Sequence, residues 1–392
     1  MNITIISKTI GAPHGASQSG LDLVLACNQN NHKVTLIHKY GSKLPAKIDG
    51  HSLKNINVLK APKNFTINTD INTKKIKRFI DSKLFDSYRN KKLSNLDTDL
   101  VIVNTITGHD IYAQSNFYNH KNSILVIRES PRHFTFKKDG KKALEQTKIL
   151  MKNYKKFIFV SSNVMCEWQS IFTYLDKNCF YLPNCIHENQ INQLESNNNK
   201  PKNFNEKNFN IICVASIQFR KGQDIILDHV NKIKQKVPNA KFHFVGNYKK
   251  NDLFYSNLIE HDNYKKFQKD IIFWGKRKDV ANLIALSDLF LFPTRAEALP
   301  RVILEAMVIK TPIISSNVDG IPEMLNKNNS ILFSLNNSNE MIDAISLIYN
   351  NKIDVKSLTD KAYEDYWEKF SRQKQFKRMN EIIKKVNNNE IR

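Results

Sequence analysis

Two glutamates, eight positions apart, stand in the part of the sequence best suited to bind a charged ligand. Glu297 and Glu305 flank Pro300, shortly after an apolar run that is typical of a strand. A helix that begins near Pro300 would hold the proline in its first turn, where the missing N–H costs little. The amides of Arg301 and Val302 would then lie at a helix N-terminus, which is a site for a diphosphate. Glu297 would lie in the loop before this helix, and Glu305 one turn inside it.

A pair of cations provides the opposite charge. Arg220 and Lys221 stand with Gly222 shortly after the apolar run 211–215. Taken alone, such a triplet is most often a surface turn. Its place after a buried strand makes it a candidate phosphate site, because exposed turn amides and cationic side chains bind anions.

The first half of the chain alternates between strand and helix signals. Residues 2–7 form a β-branched apolar run, residues 21–27 have helical periodicity, and residues 34–37 form a second apolar run. A strand, a glycine-bearing loop, a helix and a strand make a βαβ unit, which implies a parallel sheet buried on both faces. The same rhythm returns at 100–103, 124–127 and 157–160.

The second half repeats this pattern after a polar, Asn-rich stretch that is typical of a linker. Its strand candidates are 211–215, 241–245, 271–274, 289–292, 312–315 and 330–333, and its helix candidates include 224–237 and 280–286. The α/β pattern predicts an N-terminal domain over 1–195, a linker over 196–210 and a second domain over 211–355. A helical segment over 356–392 is expected to pack back toward the N-terminal domain. Two such domains would form a cleft at the carboxyl ends of their sheets, where ligands bind in this architecture.

Several other classes of protein lose support from what the sequence lacks. No GxGxxG follows the first strand and no GxxxxGK[ST] occurs, which argues against dinucleotide oxidoreductases and P-loop NTPases. The five cysteines are scattered without a CxxC pair, so zinc and disulfide frameworks are disfavoured and reduced thiols in a cytosol are expected. No window approaches the roughly 18 apolar residues of a membrane-spanning helix.

With these motifs in place, the chain resembles the retaining GT-B glycosyltransferases of family four (glycosyl transferases group 1), whose signature is a Glu-x7-Glu pair. Two Glu at this spacing also occur on the solvated face of many helices, and it is the whole segment 293–323 that favours a site. The resemblance covers nearly the whole chain and is strongest in the second half. The matching elements are Arg220–Gly222, Pro293-Thr294, Glu297, Glu305–Met307, Thr311–Ser315, Asp319–Glu323 and Pro183–Ile186, with His14-Gly15 in the family's glycine-rich loop.

The resemblance implies a role for each of these residues. Arg220 and Lys221 would neutralise the donor pyrophosphate, and Glu297 would bond a hydroxyl of the transferred sugar. Glu305 would bind the ribose hydroxyls. The amides of Leu299, Arg301 and Val302 would surround sugar and phosphate, with Gly15 on the donor from the first domain. The transfer would retain the anomeric configuration and need neither metal nor cofactor, because cations and a helix dipole stabilise the leaving diphosphate.

The sequence departs from the family pattern at several positions, among them Cys185, which stands in the glycine position of the Pro183–Ile186 element. Ser216 stands where an arginine often precedes the phosphate-loop lysine, which leaves Arg220 to compensate or the phosphate grip weaker. Many members have a histidine at the end of a first-domain strand, and here Arg128 and His109 are the acceptor-side candidates. Gly15 is the single glycine of a loop that usually has two.

The formal net charge of +23 favours anionic partners, although a sequence rich in Asn, Lys and Ile throughout also accumulates charge without a selected function. Residues 74–92 place apolar residues at helical spacing among basic ones. Such a stretch fits a helix docked on an anionic membrane and equally an ordinary surface helix. We expect a cytoplasmic protein, with the inner face of the cell membrane as a candidate peripheral location.

The residues and the resemblance together predict a transferase that moves a sugar, UDP-linked by preference, to a glycan or glycolipid acceptor in polysaccharide or lipopolysaccharide synthesis. A GT-B epimerase or phosphorylase fits the motifs less well. Two alternatives remain open: a non-catalytic protein that only binds nucleotide sugar, and a basic nucleic-acid-binding protein. No RNA- or DNA-binding motif appears, and we expect no nucleic acid partner.

Overall fold

The computed structural model describes most of the chain. The described residues are 1–10, 15–41, 47–48, 51–53, 56–62, 86–175, 178–186, 201, 204–205 and 207–388. Residues 74–85 of the basic stretch therefore lie outside the described residues, as does His14 and most of 196–206. Within the described part, no helix is both long and apolar enough to cross a membrane.

The chain divides into two compact units. Unit 1 consists of Met1–Arg128, Lys141–Cys185 and Gln373–Arg392. Unit 2 consists of Glu129–Gly140 and Ile186–Arg372. Each unit is built on a parallel sheet with helices.

The sheet of unit 1 is built from β-branched, apolar runs that the sequence predicts to be strands. Its described strands pair in the order β5-β2-β1-β6-β7-β8-β9, all parallel. Every residue of the central strands β6 and β7 is buried, as expected for a sheet covered on both faces. The strands are β1 (Asn2–Ile10), β2 (Lys33–Gly41), β3 (Lys47–Ile48), β4 (His51–Ser52), β5 (Ile56–Lys60), β6 (Leu100–Asn104), β7 (Ser123–Ile127), β8 (Lys156–Phe159) and β9 (Cys179–Tyr181), of which β3 and β4 form a separate antiparallel pair.

The helices that follow these strands are α1 (Gly15–Gln29), α2 (His109–Tyr112), α3 (Gly140–Met151) and α4 (Ser162–Ile171). Helix α12 (Arg372–Asn387), which follows the other described helices in sequence, also belongs to unit 1 from Gln373 onward. Asn30 donates a hydrogen bond to the carbonyl of Phe376 at 3.2 Å, which ties α12 to the end of α1. The chain therefore returns to its first unit after completing the second.

Unit 2 repeats the architecture with a smaller sheet. Its described strands pair in the order β12-β11-β10-β13-β14-β15, again all parallel. The strands are β10 (Phe209–Val214), β11 (Ala240–Val245), β12 (Ile271–Gly275), β13 (Leu289–Phe292), β14 (Ile313–Ser316) and β15 (Ile331–Phe333). The helices are α5 (Gln223–Lys236), α6 (Leu253–Glu260), α7 (Asp262–Lys266), α8 (Val280–Ala285), α9 (Arg301–Ile309), α10 (Ser338–Tyr349) and α11 (Val355–Lys369).

The strands and helices predicted for unit 2 are observed with small differences at their ends. Strands and helices of unit 2 begin or end within two residues of the predicted bounds, because hydrogen bonding and not hydropathy fixes the terminal residues. The helical stretch predicted near the C-terminus is two helices, interrupted at Phe370 and Ser371. The amide of Phe370 still bonds the carbonyl of Tyr366, and the Ser371 hydroxyl bonds the carbonyl of Trp367, so these two contacts close the last turn of α11.

Candidate functional site

The strand order of unit 2 explains how residues far apart in sequence meet. The chain runs from β10 outward through β11 to β12, then crosses back to β13 on the other side of β10. In open parallel sheets, ligands bind at the carboxyl ends of the strands beside such a reversal. Arg220 and Lys221 follow β10, and Glu297 follows its direct neighbour β13.

These three side chains contact one another. Arg220 Nη1 donates to Glu297 Oε1 at 2.9 Å and to the carbonyl of Ala296 at 2.5 Å. Lys221 Nζ is paired with the same carboxylate oxygen. All three side chains are mostly buried, with 14–16% of each exposed. The geometry therefore places two cations and one carboxylate at a single position.

The pKa values of Arg220 and Lys221 are lowered in this buried position. Burial, and next the neighbouring Arg220, lower the pKa of Lys221 well below its ordinary value. Burial lowers the pKa of Arg220, while Asp319 and Glu129 act in the opposite direction. Two cations so close and so little hydrated favour an anion between them.

A tight turn fixes the cations. Gly222 has a left-handed backbone, with φ of 75°, and ends the short helical turn Phe219–Lys221. A Cβ at this position would collide with the carbonyl oxygen of Pro293. The carbonyl of Arg220 in turn accepts hydrogen bonds from the Arg295 amide at 2.8 Å and the Thr294 hydroxyl at 3.2 Å. The turns after β10 and β13 are thus joined through their backbones.

Helix α9 begins a few residues after the turn that follows β13. Pro300 is its N-cap with an extended backbone, one position earlier than the expected first turn, because the helix starts at Arg301. Leu299 is buried, whereas Arg301 and Val302 in the first turn are half-buried. The N-terminus of α9, with its partial positive charge, therefore follows Glu297 by four residues.

Glu305 lies one turn inside α9 and is half-buried. Burial raises the pKa of this carboxyl from 4.5 to about 7, and the nearby Arg301 lowers it by less. In the part of the chain that the structure describes, no hydrogen bond or ion pair engages its carboxylate. An acid held in this state is a candidate for binding hydroxyl groups of a ligand.

Unit 2 also contains a segment that sequence reasoning did not place at the site. Residues Glu129–Gly140 follow β7 in sequence but belong to unit 2. Within this segment, the Ser130 hydroxyl donates to Asp319 Oδ2 at 2.6 Å, and Arg132 Nε lies 3.3 Å from Asp319 Oδ1. Asp319 Oδ2 also accepts the amide N–H of Glu297 at 2.9 Å. Of these residues, the sequence indicated only Asp319, as the first residue of the motif 319–323.

His133 and Phe136 of this segment extend the site. Burial, then Arg220, Lys137 and Lys221, lower the pKa of His133 to about 3, so its ring is neutral at neutral pH. The ring of Phe136 lies 6.2 Å from that of Phe219. The segment thus adds an uncharged ring and an aromatic contact beside the two cations.

Arg128 lies in unit 1, at the end of β7. Its Nε donates to Asn104 Oδ1 at 3.0 Å and its Nη1 to Asn184 Oδ1 at 2.5 Å. Asn104 also donates to the Ser7 hydroxyl at 3.1 Å, and the Ser19 hydroxyl donates to Asn184 at 3.3 Å. The guanidinium is therefore part of a polar network at the carboxyl edge of this sheet.

His109 and Gly15 also lie in unit 1. His109 Nδ1 is 2.9 Å from the Tyr154 hydroxyl, among the rings of Tyr112 and Tyr118, and burial lowers its pKa. Gly15 is the exposed first residue of α1, and a Cβ added there meets no atom within 4 Å. The structure thus brings Arg220, Lys221 and Glu297 together and places Arg128, His109 and Gly15 in the other unit.

The chain is similar in fold to a solved structure and similar in part of its sequence to curated proteins. HepE of Anabaena, solved in complex with UDP and glucose, superposes with a TM-score of 0.72 at 18% identity, over 98% of this chain and 99% of that one. An uncharacterised glycosyltransferase of Haemophilus influenzae is 28% identical over 173 residues. An Escherichia coli enzyme, UDP-Gal:alpha-D-GlcNAc-diphosphoundecaprenol alpha-1,3-galactosyltransferase, is 29% identical over 119 residues.

The lengths of these matches limit what they show. The Haemophilus alignment spans 42% of this chain and 48% of that protein, so the chain spans about half the length of this curated relative. The Escherichia alignment spans 30% of each chain. Both relatives therefore resemble part of the chain.

Two parallel-sheet α/β units in one chain, with the superposition above, define the GT-B fold class. Residues 208–351 match the family model described as Glycosyl transferases group 1. This stretch begins one residue before β10 and ends just after α10, so it contains Arg220, Lys221, Glu297 and Glu305. Most of the second unit is therefore similar to the glycosyl transferases group 1 family.

Proposed function

We propose that this protein is a retaining, metal-independent glycosyltransferase that takes a sugar from a nucleoside-diphosphate donor. The observation that carries the proposal is the convergence of Arg220, Lys221 and Glu297 at the reversal between β10 and β13. Helix α9 begins beside them and carries Glu305 one turn further along. Cations, a helix N-terminus and two carboxylates at one sheet edge match the charge and hydroxyl pattern of a sugar nucleotide.

Each residue has a distinct task in this proposal. Arg220 and Lys221 bind the diphosphate and stabilise the charge that develops as it leaves. The amides at the start of α9 add to this stabilisation through the helix dipole. Glu297 accepts a hydrogen bond from a hydroxyl of the sugar, and Glu305 accepts hydrogen bonds from the ribose.

Donor binding would rearrange the site. The Glu297 carboxylate engages both cations, whereas a donor would offer them its phosphate oxygens. Phosphate oxygens would then pair with Arg220 and Lys221, and the Glu297 carboxylate would turn toward the sugar. Such an exchange keeps the buried cations paired at every stage, which avoids the large cost of an isolated buried charge.

The relatives suggest the classes of donor and acceptor. HepE was solved with UDP and glucose, and the Escherichia relative is named for a UDP-galactose donor and a lipid diphosphate acceptor. We infer a UDP-sugar donor and a glycan or lipid-linked acceptor, in the synthesis of bacterial surface polysaccharide or lipopolysaccharide. Arg128 and His109 are acceptor-side candidates in unit 1, and Gly15 is a donor-side candidate there.

Calorimetric titration of the purified protein tests the donor site. UDP, GDP, ADP and CMP are compared, each with and without magnesium. We expect selective binding of one nucleoside diphosphate, UDP first, that does not require magnesium and that is lost in Lys221→Ala and Glu305→Ala. Lys232→Ala is the matched control, because Lys232 is an exposed lysine on α5 in the same unit.

Other results would redirect the assignment. A folded protein that binds none of the four nucleotides contradicts the proposal, and salt-sensitive binding of nucleic acid would then favour the alternative that the net charge suggests. Donor binding with no transfer to any acceptor would instead indicate a non-catalytic sugar-nucleotide-binding protein.

We further propose a peripheral location on the inner face of the membrane, through residues 74–92. The support is the basic, amphipathic sequence and the lipid-linked acceptor class. Replacing Lys74, Lys75, Lys77 and Arg78 by Glu should abolish sedimentation with anionic liposomes. The control reverses four exposed lysines of unit 2, Lys249, Lys250, Lys327 and Lys352, and equal loss in both variants would contradict a specific docking segment.

A further inference from the structure

Asp319 occupies an unusual position in unit 2. It follows β14 in the turn before the short helix Ile321–Glu323, and its backbone is left-handed with φ of 47°. Its side chain is fully buried. A buried carboxylate costs free energy unless hydrogen bonds and cations compensate for its lost hydration, so its partners indicate its use.

The first partner is the backbone of Glu297. The Glu297 N–H donates to Asp319 Oδ2 at 2.9 Å, and the amide of the next residue, Gly320, donates to the Glu297 carbonyl at 3.1 Å. The peptide groups on both sides of the Glu297 Cα are therefore held by two consecutive residues. These two hydrogen bonds fix the backbone from which the Glu297 side chain projects.

The second set of partners comes from the segment Glu129–Gly140. The Ser130 hydroxyl donates to the same Asp319 oxygen at 2.6 Å, and Arg132 lies 3.3 Å from the other oxygen. Ser130 is buried, whereas about half of the Arg132 side chain is exposed. The carboxylate of Asp319 is thus oriented by three groups from two parts of the sequence.

We propose that Asp319, held by Ser130, is a positioning residue for Glu297. The inference rests on the proposed function, in which Glu297 bonds a hydroxyl of the transferred sugar. A carboxylate serves this purpose only if it is held to within a fraction of an ångström, because small misplacements of such groups cost large factors in binding and rate. Asp319 does not touch the ligand, and it acts through the backbone of Glu297.

Backbone geometry alone does not explain an aspartate here. Glycine and asparagine adopt a left-handed φ at least as readily, and glycine does so without strain. The carboxylate must therefore be explained by its hydrogen bonds. This distinction makes two substitutions informative: Asp319→Gly removes the carboxylate without strain, and Asp319→Asn keeps one acceptor oxygen with the same backbone preference.

The test separates binding of the sugar from binding of the nucleotide. Calorimetry gives the affinities of the wild type for UDP, UDP-glucose, UDP-galactose and UDP-N-acetylglucosamine, and the sugar with the largest gain over UDP is kept. We expect Asp319→Gly to reduce this gain by about 10-fold or more, with UDP affinity within about 3-fold of wild type. Asp319→Asn should retain most of the gain, and Ser130→Ala should lose part of it.

The outcomes distinguish the inference from the proposed function. A folded wild type that binds no UDP compound contradicts the UDP-sugar donor of the proposed function. A wild type that binds UDP but gains nothing from any sugar, or an Asp319→Gly variant with the wild-type gain, overturns the positioning role. If Asp319→Gly unfolds at a lower temperature than the wild type, Ser130→Ala takes its place, and an unchanged gain there also overturns the proposal.

Discussion

The carboxyl group of Glu305 lies where its charge is disfavoured. Burial on α9 raises its pKa from 4.5 to about 7, and Arg301 offsets only part of this effect. In the unfolded chain the group titrates near its ordinary value. The native state therefore holds a proton between pH 4.5 and about 7 that the unfolded state has released.

The difference in Glu305 pKa between the folded and unfolded states predicts how stability depends on pH. Because the folded protein binds more protons in that window, its free energy of unfolding falls as the pH rises from 4.5 to about 7 and stays low above it. Glu305→Gln imitates the neutral form and should stabilise unit 2 by about 1–2 kcal/mol near pH 8, with little effect near pH 5. Urea unfolding of both proteins at the two pH values measures this difference.

The same substitution should weaken nucleotide binding, since an amide accepts hydrogen bonds from ribose less strongly than a carboxylate. A gain in stability with a loss of affinity is the usual sign of a residue kept for function. Equal stability of wild type and Glu305→Gln at the higher pH would mean that the carboxylate is well hydrated in the native state.

Sequence spacing predicted some of these residues and missed others. Arg220, Lys221 and Glu297 follow predicted strands, and the order of parallel strands brings such positions together. The contact between Ser130 and Asp319 joins residues 189 positions apart through side chains. No local pattern encodes it, because it depends on how the segment Glu129–Gly140 packs in unit 2.

At the scale of elements, the turn at Gly222 sets the orientation of Arg220 and Lys221. Its left-handed backbone and the nearby carbonyl of Pro293 leave no room for a side chain. Gly222→Ala should therefore destabilise unit 2 by at least about 2 kcal/mol, from the strained backbone and the collision together. It should also weaken nucleotide binding, because Arg220 and Lys221 directly precede this turn.

Gly15→Ala is the matched control for the stability part of this prediction. A methyl group at Gly15 meets open space on the exposed start of α1, so its stability should stay within about 0.5 kcal/mol of wild type. Thermal unfolding and UDP titration of both variants provide the comparison. Loss of donor affinity in Gly15→Ala at unchanged stability would support the proposed donor role of Gly15. Wild-type stability of Gly222→Ala would show that the turn can relax.

The elements themselves were largely predictable, and the reason is physical. Strands buried on both faces must be continuous apolar runs, and such runs stand out in a lysine- and asparagine-rich chain. Strand order is less accessible, since the reversal between β12 and β13 leaves no mark on hydropathy. Fold class therefore follows from the alternation of elements, whereas the meeting of β10 and β13 needs the structure or the resemblance.

At the scale of the whole molecule, the chain path links the two units in a specific way. Helix α12 comes after all of unit 2 in sequence, yet from Gln373 it belongs to unit 1. Gln375 donates to the carbonyl of Pro183 at 3.0 Å and accepts from the Cys185 thiol at 3.1 Å. The first unit is therefore incomplete until α12 has been synthesised.

Removing residues 373–392 should consequently open unit 1 and spare unit 2. The deleted helix buries four apolar side chains completely or nearly so: Met379, Ile382, Ile383 and Val386. At about 1.5–3 kcal/mol each, their loss amounts to roughly 6–12 kcal/mol, comparable to the entire stability of a typical domain. Hydrogen exchange followed by mass spectrometry should show lost protection in β1, β6 and β7 and retained protection in β10 and β13.

A chain shortened only by residues 389–392 is the control, because α12 ends at Asn387. UDP titration adds a second measurement, since Arg220, Lys221, Glu297 and Glu305 all lie in unit 2. If the truncated protein keeps its nucleotide affinity while unit 1 exchanges freely, unit 2 alone forms the nucleotide site. Full protection of unit 1 after the deletion would mean that its sheet is stable without α12, and that the return of the chain serves another purpose than completing the core.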